Sequence, residues 1–557
     1  MRPPALEVRA IPNRIAMLGS AVAALGFFFL PVVTLKPNRI SAGVPFNLLQ
    51  FQGDYRYIVL FALALVPFMI AFRKDVGVRG WLLVIVGNLL MLLTLVLPAI
   101  AGQHLLANAK QYLGPNAFIQ NPRLLPTAGL ALGLVGGYVT LFAGLRDLER
   151  SGVQGWVRSL AAWLGVAFIF VLLVAGAFNI YSIMVEFHTN GALLQQKFVE
   201  HLMFVLVSLV VGFVVGVGLG LWASRDEHTA PVILYAVGII QTIPSLALFG
   251  VLLVPLARLG DMHFLPAVAF FAVTVVVAAA VGTGYRFLAG HLPGRLQTVA
   301  LVITAVVVAV PLVLFTGVFA SFVYRAARIG FGGGAGFGGL DGGILALVLV
   351  GLALWTARRY LFKREGAFRL VLRIGYLLAY SGALVVLMVM MVRAAATDQF
   401  LGSVTSVQAL TIRNLGVSGI GVAPALVALT LYSLLPLVRN TYAGLENVDN
   451  AIIDSGRGMG MTPAQIFFQI ELPLAFPVIM AGVRNAGVAL VGIGTVATVI
   501  GAGGLGDFVI QGIVNTSVDQ ILLGAIPAIA LAMVLDAVLR FVEGLLTSPG
   551  IRHVQNT

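Results

Sequence analysis

The residue types that catalysis needs occur in this chain, but no spacing assembles them. Seven histidines are scattered over 557 residues, and none forms the H-E-x-x-H pair that holds zinc on one helix face. There is no cysteine, which removes disulfides, thiolate metal sites and thiol nucleophiles. No two carboxylates share a polar setting suited to acid–base work, so no catalytic residue and no metal ligand is assigned. A G-x-x-x-x-G-K-[ST] loop is absent, and the chain is expected to bind no nucleotide or other cofactor itself. Two formal G-x-G-x-x-G runs, Gly334/Gly336/Gly339 and Gly501/Gly503/Gly506, lack the preceding strand and following helix of a dinucleotide fingerprint. What remains is a set of polar groups inside apolar runs. These are Gln241-Thr242-Ile243-Pro244-Ser245, with a helix-breaking proline, the lone Arg484, and the glycine-rich run Gly501 to Asp507. At membrane depth such groups need protein or water partners, which suits the lining of a passage better than a reaction centre.

The elements that hold them are membrane helices. Sixty per cent of residues are hydrophobic, a tenth are charged, and the mean hydropathy is +1.03. This composition defines an all-α polytopic membrane protein in contact with the lipid bilayer. The net charge of +13 sits in short loops between apolar runs, as the positive-inside rule expects, and so implies no nucleic-acid partner. Arg2, Arg9 and Arg14 place the N-terminus inside. The first run, about 15–33, has no small-residue cleavage site after it and is read as a span rather than a signal peptide. Further spans are expected near 57–72, 81–101, 124–145 and 159–183, making residues 1–190 an N-terminal extension of about five helices. Then come 198–222 and 231–255, four spans near 265–285, 297–322, 344–357 and 372–393, and three after residue 415, about fourteen in all. The loop Gly330 to Gly343 reads as flexible, and the basic run Arg358 to Arg373 as cytoplasmic. Asp536 and Arg540, at i,i+4, are expected to form a structural ion pair. Arg484 suits a snorkelling or channel-facing position.

Val448 to Pro473 is one of the longest runs without a spanning segment, and local rules read it as helix, turn, helix. Asp449 is an N-cap, and Gly460 suits a left-handed C-terminal position. Thr462 with Gln465 forms a capping box beside Pro463, and Met461 can staple against Ile466. Pro473 closes the stretch. The order Asp454-Ser455-Gly456, Gly460, then Ile470-x-Leu472-Pro473 resembles the cytoplasmic loop motif of permease subunits of binding-protein-dependent ABC importers. That motif runs Glu-Ala-Ala, three residues, Gly, nine residues, Ile-x-Leu-Pro. The first three positions depart from it by small or isoelectric changes. In the family this loop is the coupling helix that enters a groove of the ATPase, so the resemblance assigns coupling to Asp454, Ser455, Gly456, Gly460, Met461, Ile470, Leu472 and Pro473.

Two more stretches carry the likeness toward osmoprotectant (glycine betaine, choline) permeases. One is Gln241 to Leu248, Gln-Thr-Ile-Pro-Ser-Leu-Ala-Leu. The other is Leu431 to Tyr442, Leu-Tyr-Ser-Leu-Leu-Pro-Leu-Val-Arg-Asn-Thr-Tyr. The resemblance implies a permease core of about five helices in two parts, 198–262 and 415–545, the latter holding the coupling loop 448–473, with 263–414 as inserted helices. It makes Gln241, Thr242, Pro244, Ser245, Tyr432 and Asn440 candidates for the translocation path, and Gly501, Gly503, Gly504 and Gly506 candidates for an irregular outer gate. By resemblance the chain is the transmembrane subunit of an ATP-driven importer of a small compatible solute. Its ATP hydrolysis would be done by separate ATPase subunits, with an extracytoplasmic binding protein and a second permease, identical or related, as further partners. The location implied is the bacterial inner membrane with both termini cytoplasmic, and no fused binding domain is expected. An ABC permease for another solute, such as an amino acid, and an ion-coupled secondary transporter remain open alternatives. The latter would need intramembrane carboxylates, of which the core spans hold few.

Overall fold

The computed structural model describes residues 12–39, 41–50, 58–114, 118–288 and 420–547, with part of the stretch between 296 and 324, including 299–307. The spans expected near 344–357 and 372–393, part of that near 297–322, the glycine loop and the basic run 358–373 lie outside the described residues. Helices dominate. Those of the first part are α1 (Arg14–Phe29), α2 (Ile58–Ile70), α3 (Val76–Ala107), α4 (Ala109–Leu113), α5 (Ala128–Arg150), α6 (Gly155–Val174) and α7 (Ser182–Thr189). Then come α8 (Gly191–Arg225), α9 (Ala230–Thr242), α10 (Ser245–Asp261), α11 (Phe264–Leu288), α12 (Val422–Glu446), α13 (Asn450–Gly458), α14 (Pro463–Ile466), α15 (Leu472–Val496), α16 (Gly506–Val514) and α17 (Val518–Leu546). Among the described residues eight helices are long and apolar enough to cross a membrane, or nine if α9 and α10 count as one bent span. The helices α1 and α2 are apolar but shorter, at 16 and 13 residues.

An all-α reading missed three short strands. The strand β1 (Val33–Lys36) lies between β2 (Val44–Phe46) and β3 (Arg123–Pro126), antiparallel to both, with Val33 opposite Phe46 and Lys36 opposite Arg123. These strands sit where the sequence has Pro, Asn and Gly between apolar runs. Backbone groups leaving a helix must still be paired, and a small sheet pairs them.

The chain divides into two units. The first comprises residues 1–191 with 511–523. Its centre is α1, α3 and α5 packed through glycines. A Cβ at Gly136 would fall 2.6 Å from Ala23 N, and one at Gly87 2.6 Å from Leu141 N, so these helices approach at backbone distance. Polar ties close both ends. Asn13 caps α1 by accepting from Ile15 N and Ala16 N, and it donates to Asp147 at 2.8 Å. Arg79 donates to both oxygens of Asp147, at 2.6 and 3.1 Å, and both residues are buried. At the sheet end, buried Glu186 receives Arg39 at 2.9 Å, Arg123 and Asn190. Ser182 there donates to Asp519 at 2.6 Å, so residues 511–523 are bound into this unit. Tyr181 donates to Leu95 O at 2.7 Å, and burial pushes its phenol above the ordinary tyrosine pKa.

The second unit, residues 192–510 and 524–557, is built around α12. Every residue from Ala423 to Leu434 is buried, and α9, α10 and α15 pack on it. The helix α8 meets it through Gly212, Gly216 and Gly220, one per turn. A Cβ at Gly212 would lie 1.9 Å from Ser433 Oγ, and one at Gly220 2.6 Å from Thr441 Cβ.

Asp147→Leu removes the carboxylate that receives buried Arg79 through two hydrogen bonds and is expected to cost about 3–5 kcal/mol. Thermal unfolding of the purified chain in detergent checks this. The double change Arg79→Met with Asp147→Leu should recover most of the loss. An unchanged midpoint in the single variant would refute the role given to this pair.

Candidate functional site

The elbow expected at Val448 to Pro473 forms from its local signals. Asp449 accepts from Ala451 N at 2.8 Å and starts α13. The capping box is complete: Thr462 Oγ1 accepts from Gln465 N, and Gln465 Oε1 accepts from Thr462 N at 2.8 Å. Gly460 is left-handed, with φ 79°. Gly456 does more than weaken its helix. It lies in α13, buried, and a Cβ there would meet Ile470 Cδ1 at 2.8 Å and Met461 Sδ at 3.4 Å. The turn is thus folded onto its own apolar residues, while Ile452, Met459 and Phe468 stay exposed at 43, 74 and 65%. Asp454 and Ser455 are exposed, the former paired with Arg457 at 3.0 Å and the latter donating to Ala451 O at 2.7 Å.

Pro473 does not end the stretch. A π-helical turn, Phe467–Glu471, joins α14 to α15 without a break, and Pro473 occupies the first turn of α15. The wider turn absorbs a proline that cannot donate to the preceding turn. Glu471, the unspecified residue between Ile470 and Leu472, is buried and holds Arg225, the last residue of α8. The Arg225 guanidinium also lies 5.4 Å over the Phe467 ring. Sequence reasoning missed this tie, because Glu471 falls at a position the motif leaves free.

At the polar cluster the expected single span is broken. The helices α9 and α10 meet at 102° at Ile243-Pro244. Pro244 lacks an N–H and disfavours helical backbone at Ile243, and the freed Ile243 carbonyl accepts from the Tyr432 hydroxyl of α12. Gln241, Thr242 and Pro244 are exposed and Ser245 is half-buried at this corner. Thr242 turns its hydroxyl back to Ile239 O at 2.7 Å. Asn440 stands two turns further along α12 from Tyr432 and donates to Pro436 O at 2.7 Å, so Tyr432 and the 241–245 cluster come together while Asn440 is separate.

The glycine run is irregular. Gly501, Gly503 and Gly504 have φ of 79°, 86° and 86°, and Gly506 opens α16 at a point where a Cβ would strike Thr495 O at 2.0 Å. The start of α8 pins it. Lys197 bridges Glu200 at 3.0 Å and Asp507 at 2.7 Å, and Glu200 accepts from Gly504 N at 3.3 Å. Fully buried His201 bonds Val491 O at 3.1 Å and sits against Gly494 and Gly504. The only hint of this in the sequence is the i,i+3 spacing of Lys197 and Glu200. Arg484 is ion-paired within the second unit. It pairs with Glu543 at 2.9 Å and Asp536 at 3.6 Å, and Asp536 also holds Arg540 at 2.8 Å. Among the described residues no group of three or more His, Asp or Glu could hold a metal ion.

The described residues thus form a mostly helical protein with a capped elbow between apolar helices and two places where regular helix is broken. Residues 349–548 match the family described as binding-protein-dependent transport system inner membrane component, and residues 13–184 match the N-terminal domain of ABC transporter permease YehY. The chain is 46% identical over 137 residues to the choline transport system permease protein OpuBB of Bacillus subtilis, which is 25% of this chain and 63% of the relative. It is 47% identical over 128 residues to the carnitine transport permease protein OpuCD of Listeria monocytogenes, 23% of this chain and 57% of the relative. With the osmoprotectant import permease protein OsmW of Salmonella typhimurium it shares 45% over 134 residues, 24% and 62% of the two chains. The chain therefore spans about three fifths of the length of the curated relatives it matches.

Gly460→Val forces a β-branched residue into left-handed backbone at a cost of about 1–2 kcal/mol or more. Gly458→Val, in open space without positive φ, serves as the control. Hydrogen exchange over 450–466 should accelerate in the first variant and stay near wild type in the second.

Proposed function

We propose that this chain is the permease subunit of an ATP-driven importer for a small quaternary ammonium osmoprotectant. The observation that carries the reading is the elbow. It is capped at both helices and closed over Gly456, and it presents Ile452, Met459 and Phe468 outward. A rigid turn with exposed apolar side chains is suited to being gripped by a partner, and in this reading the partner is the ATPase. The elbow is also fastened to the body at Glu471–Arg225, so movement of the elbow is passed to α8.

From Arg225 to Lys197 the helix α8 runs about 42 Å at 1.5 Å per residue. Its other end holds the glycine run through Lys197, Glu200 and His201. In the proposed cycle, closure of the ATPase dimer displaces the elbow, α8 carries the displacement, and the left-handed glycines 501, 503 and 504 flex as the outer gate. Pro244 and the residues beside it line the passage, with Tyr432 holding the corner open. The cargo class rests on the relatives, which are named for choline, carnitine and osmoprotectant transport. High-affinity selection falls to an extracytoplasmic binding protein, where aromatic faces can hold a quaternary ammonium. A second permease completes the core, the membrane is the bacterial inner membrane, and this chain itself holds no cofactor.

The test is uptake of labelled glycine betaine, choline and carnitine into proteoliposomes holding this chain with its ATPase and binding protein. ATP-dependent accumulation of at least one is expected, and Gly460→Val should abolish it while the chain remains folded. ATP hydrolysis stimulated by the binding protein without uptake of any of the three would keep the importer and overturn the cargo. Uptake driven by an ion gradient without ATP would overturn both.

A further inference from the structure

Within the first unit, where α5 ends and α6 begins, lies a cavity of about 510 Å³. Phe142, Leu145 and Trp163 give it an apolar wall, and Arg146, Arg158 and Ser159 line it as well. Among the described residues Arg146 makes no hydrogen bond or ion pair and is exposed. Arg158 donates from Nη1 to Glu149 at 2.9 Å, yet its Nε is buried without an acceptor. A donor held out of water with nothing to bond is costly, and a ligand oxygen entering the cavity would relieve it after a small turn of the guanidinium. Glu149 also lines the cavity, but at 64% exposed it offsets only one of the two arginines.

The surroundings bear on what the ligand is. This is the end of the unit where Arg79 meets Asp147, and Arg14, Arg73, Lys74 and Arg150 are exposed there as well, against Asp75. The helix α6 is apolar and buries only Gly165, so almost its whole length faces outward. Trp156 stands 68% exposed at its basic end, as aromatic residues do at a membrane interface, and Trp163, two turns further on, is 66% exposed. A soluble anion would satisfy the arginines and leave the apolar wall uncovered. An acyl chain would cover that wall and run on along α6.

We infer that this cavity holds the phosphate headgroup of an anionic phospholipid, with Arg146 as its main contact, Arg158 and Ser159 beside it, and an acyl chain against Phe142, Leu145 and Trp163. The site is independent of the transport reading, since it lies wholly in the N-terminal unit and involves neither elbow nor gate.

The test reconstitutes the full chain in vesicles of equal parts phosphatidylglycerol and phosphatidylcholine, re-extracts it in mild detergent, and counts retained lipid by native mass spectrometry. Phosphatidylglycerol should be retained over phosphatidylcholine. Arg146→Gln should lower that retention about fivefold, the factor matching the roughly 1 kcal/mol that one basic side chain contributes at an anionic membrane surface. Because Arg146 has no partner among the described residues, its variant should melt like wild type without added lipid, which separates lost binding from lost structure. Trp163→Ala should also lower retention. Equal retention of the two lipids, or retention unchanged in Arg146→Gln, would overturn the proposal. Stabilisation by inorganic phosphate matching that by phosphatidylglycerol vesicles would show a free-anion site and overturn the lipid.

Discussion

A bilayer interior offers no partner for a freed amide or carbonyl, and this constraint organises the second unit of the molecule. Two places leave regular helix, and both are repaired by side chains from neighbouring helices. Tyr432 takes the Ile243 carbonyl at the corner between α9 and α10. Glu200 takes the Gly504 amide, and Thr498 donates to Gly503 O at 2.8 Å. The irregular segments can exist only because α8 and α12 are close enough to serve them. That closeness comes from Gly212, Gly216 and Gly220, which let the two backbones meet.

Because the repair of the glycine run comes from α8, that helix acquires two duties. Its first turns carry Lys197, Glu200 and His201 against the glycine run, and its last residue, Arg225, holds Glu471 in the π turn. A helix is stiff along its axis, so a shift imposed at one end is delivered at the other rather than dissipated. The π turn contributes to this. It carries the chain from elbow to span without a flexible linker, so the elbow cannot move alone. The soft points lie instead at glycines 501, 503 and 504, where left-handed backbone is available at little cost.

The N-terminal unit follows a different logic. Its helices are held by close glycine packing in the middle and by charge at the two ends, with Asp147 serving Arg79 and Asn13, and Glu186 serving Arg39 and Arg123. Buried pairs of this kind add little net stability over apolar packing, but they allow only one register between helices. The unit also takes in residues 511–523 through Ser182 and Asp519, so part of the chain between the last two helices belongs to it. At its basic end the charges outnumber their partners, which is where the cavity between α5 and α6 lies.

Local rules were enough for whatever depends on a few consecutive residues. The N-cap at Asp449, the capping box at Thr462 and Gln465, the left-handed Gly460, the pair Asp536–Arg540 and the positions of most apolar helices were legible, since each rests on short-range hydrogen bonding or on transfer of a long apolar run. The permease likeness was legible for the same reason, its motif being a short ordered string. Everything that joins distant residues was decided by tertiary structure. Nothing local says that Arg225 will find Glu471, 246 positions away, that Arg484 will be neutralised by Glu543, or that Tyr432 will cap a carbonyl on α9. Nor could periodicity tell a kinked span at Pro244 from two helices at 102°, because both present the same apolar string, and only a partner for the freed carbonyl makes the sharper bend stable.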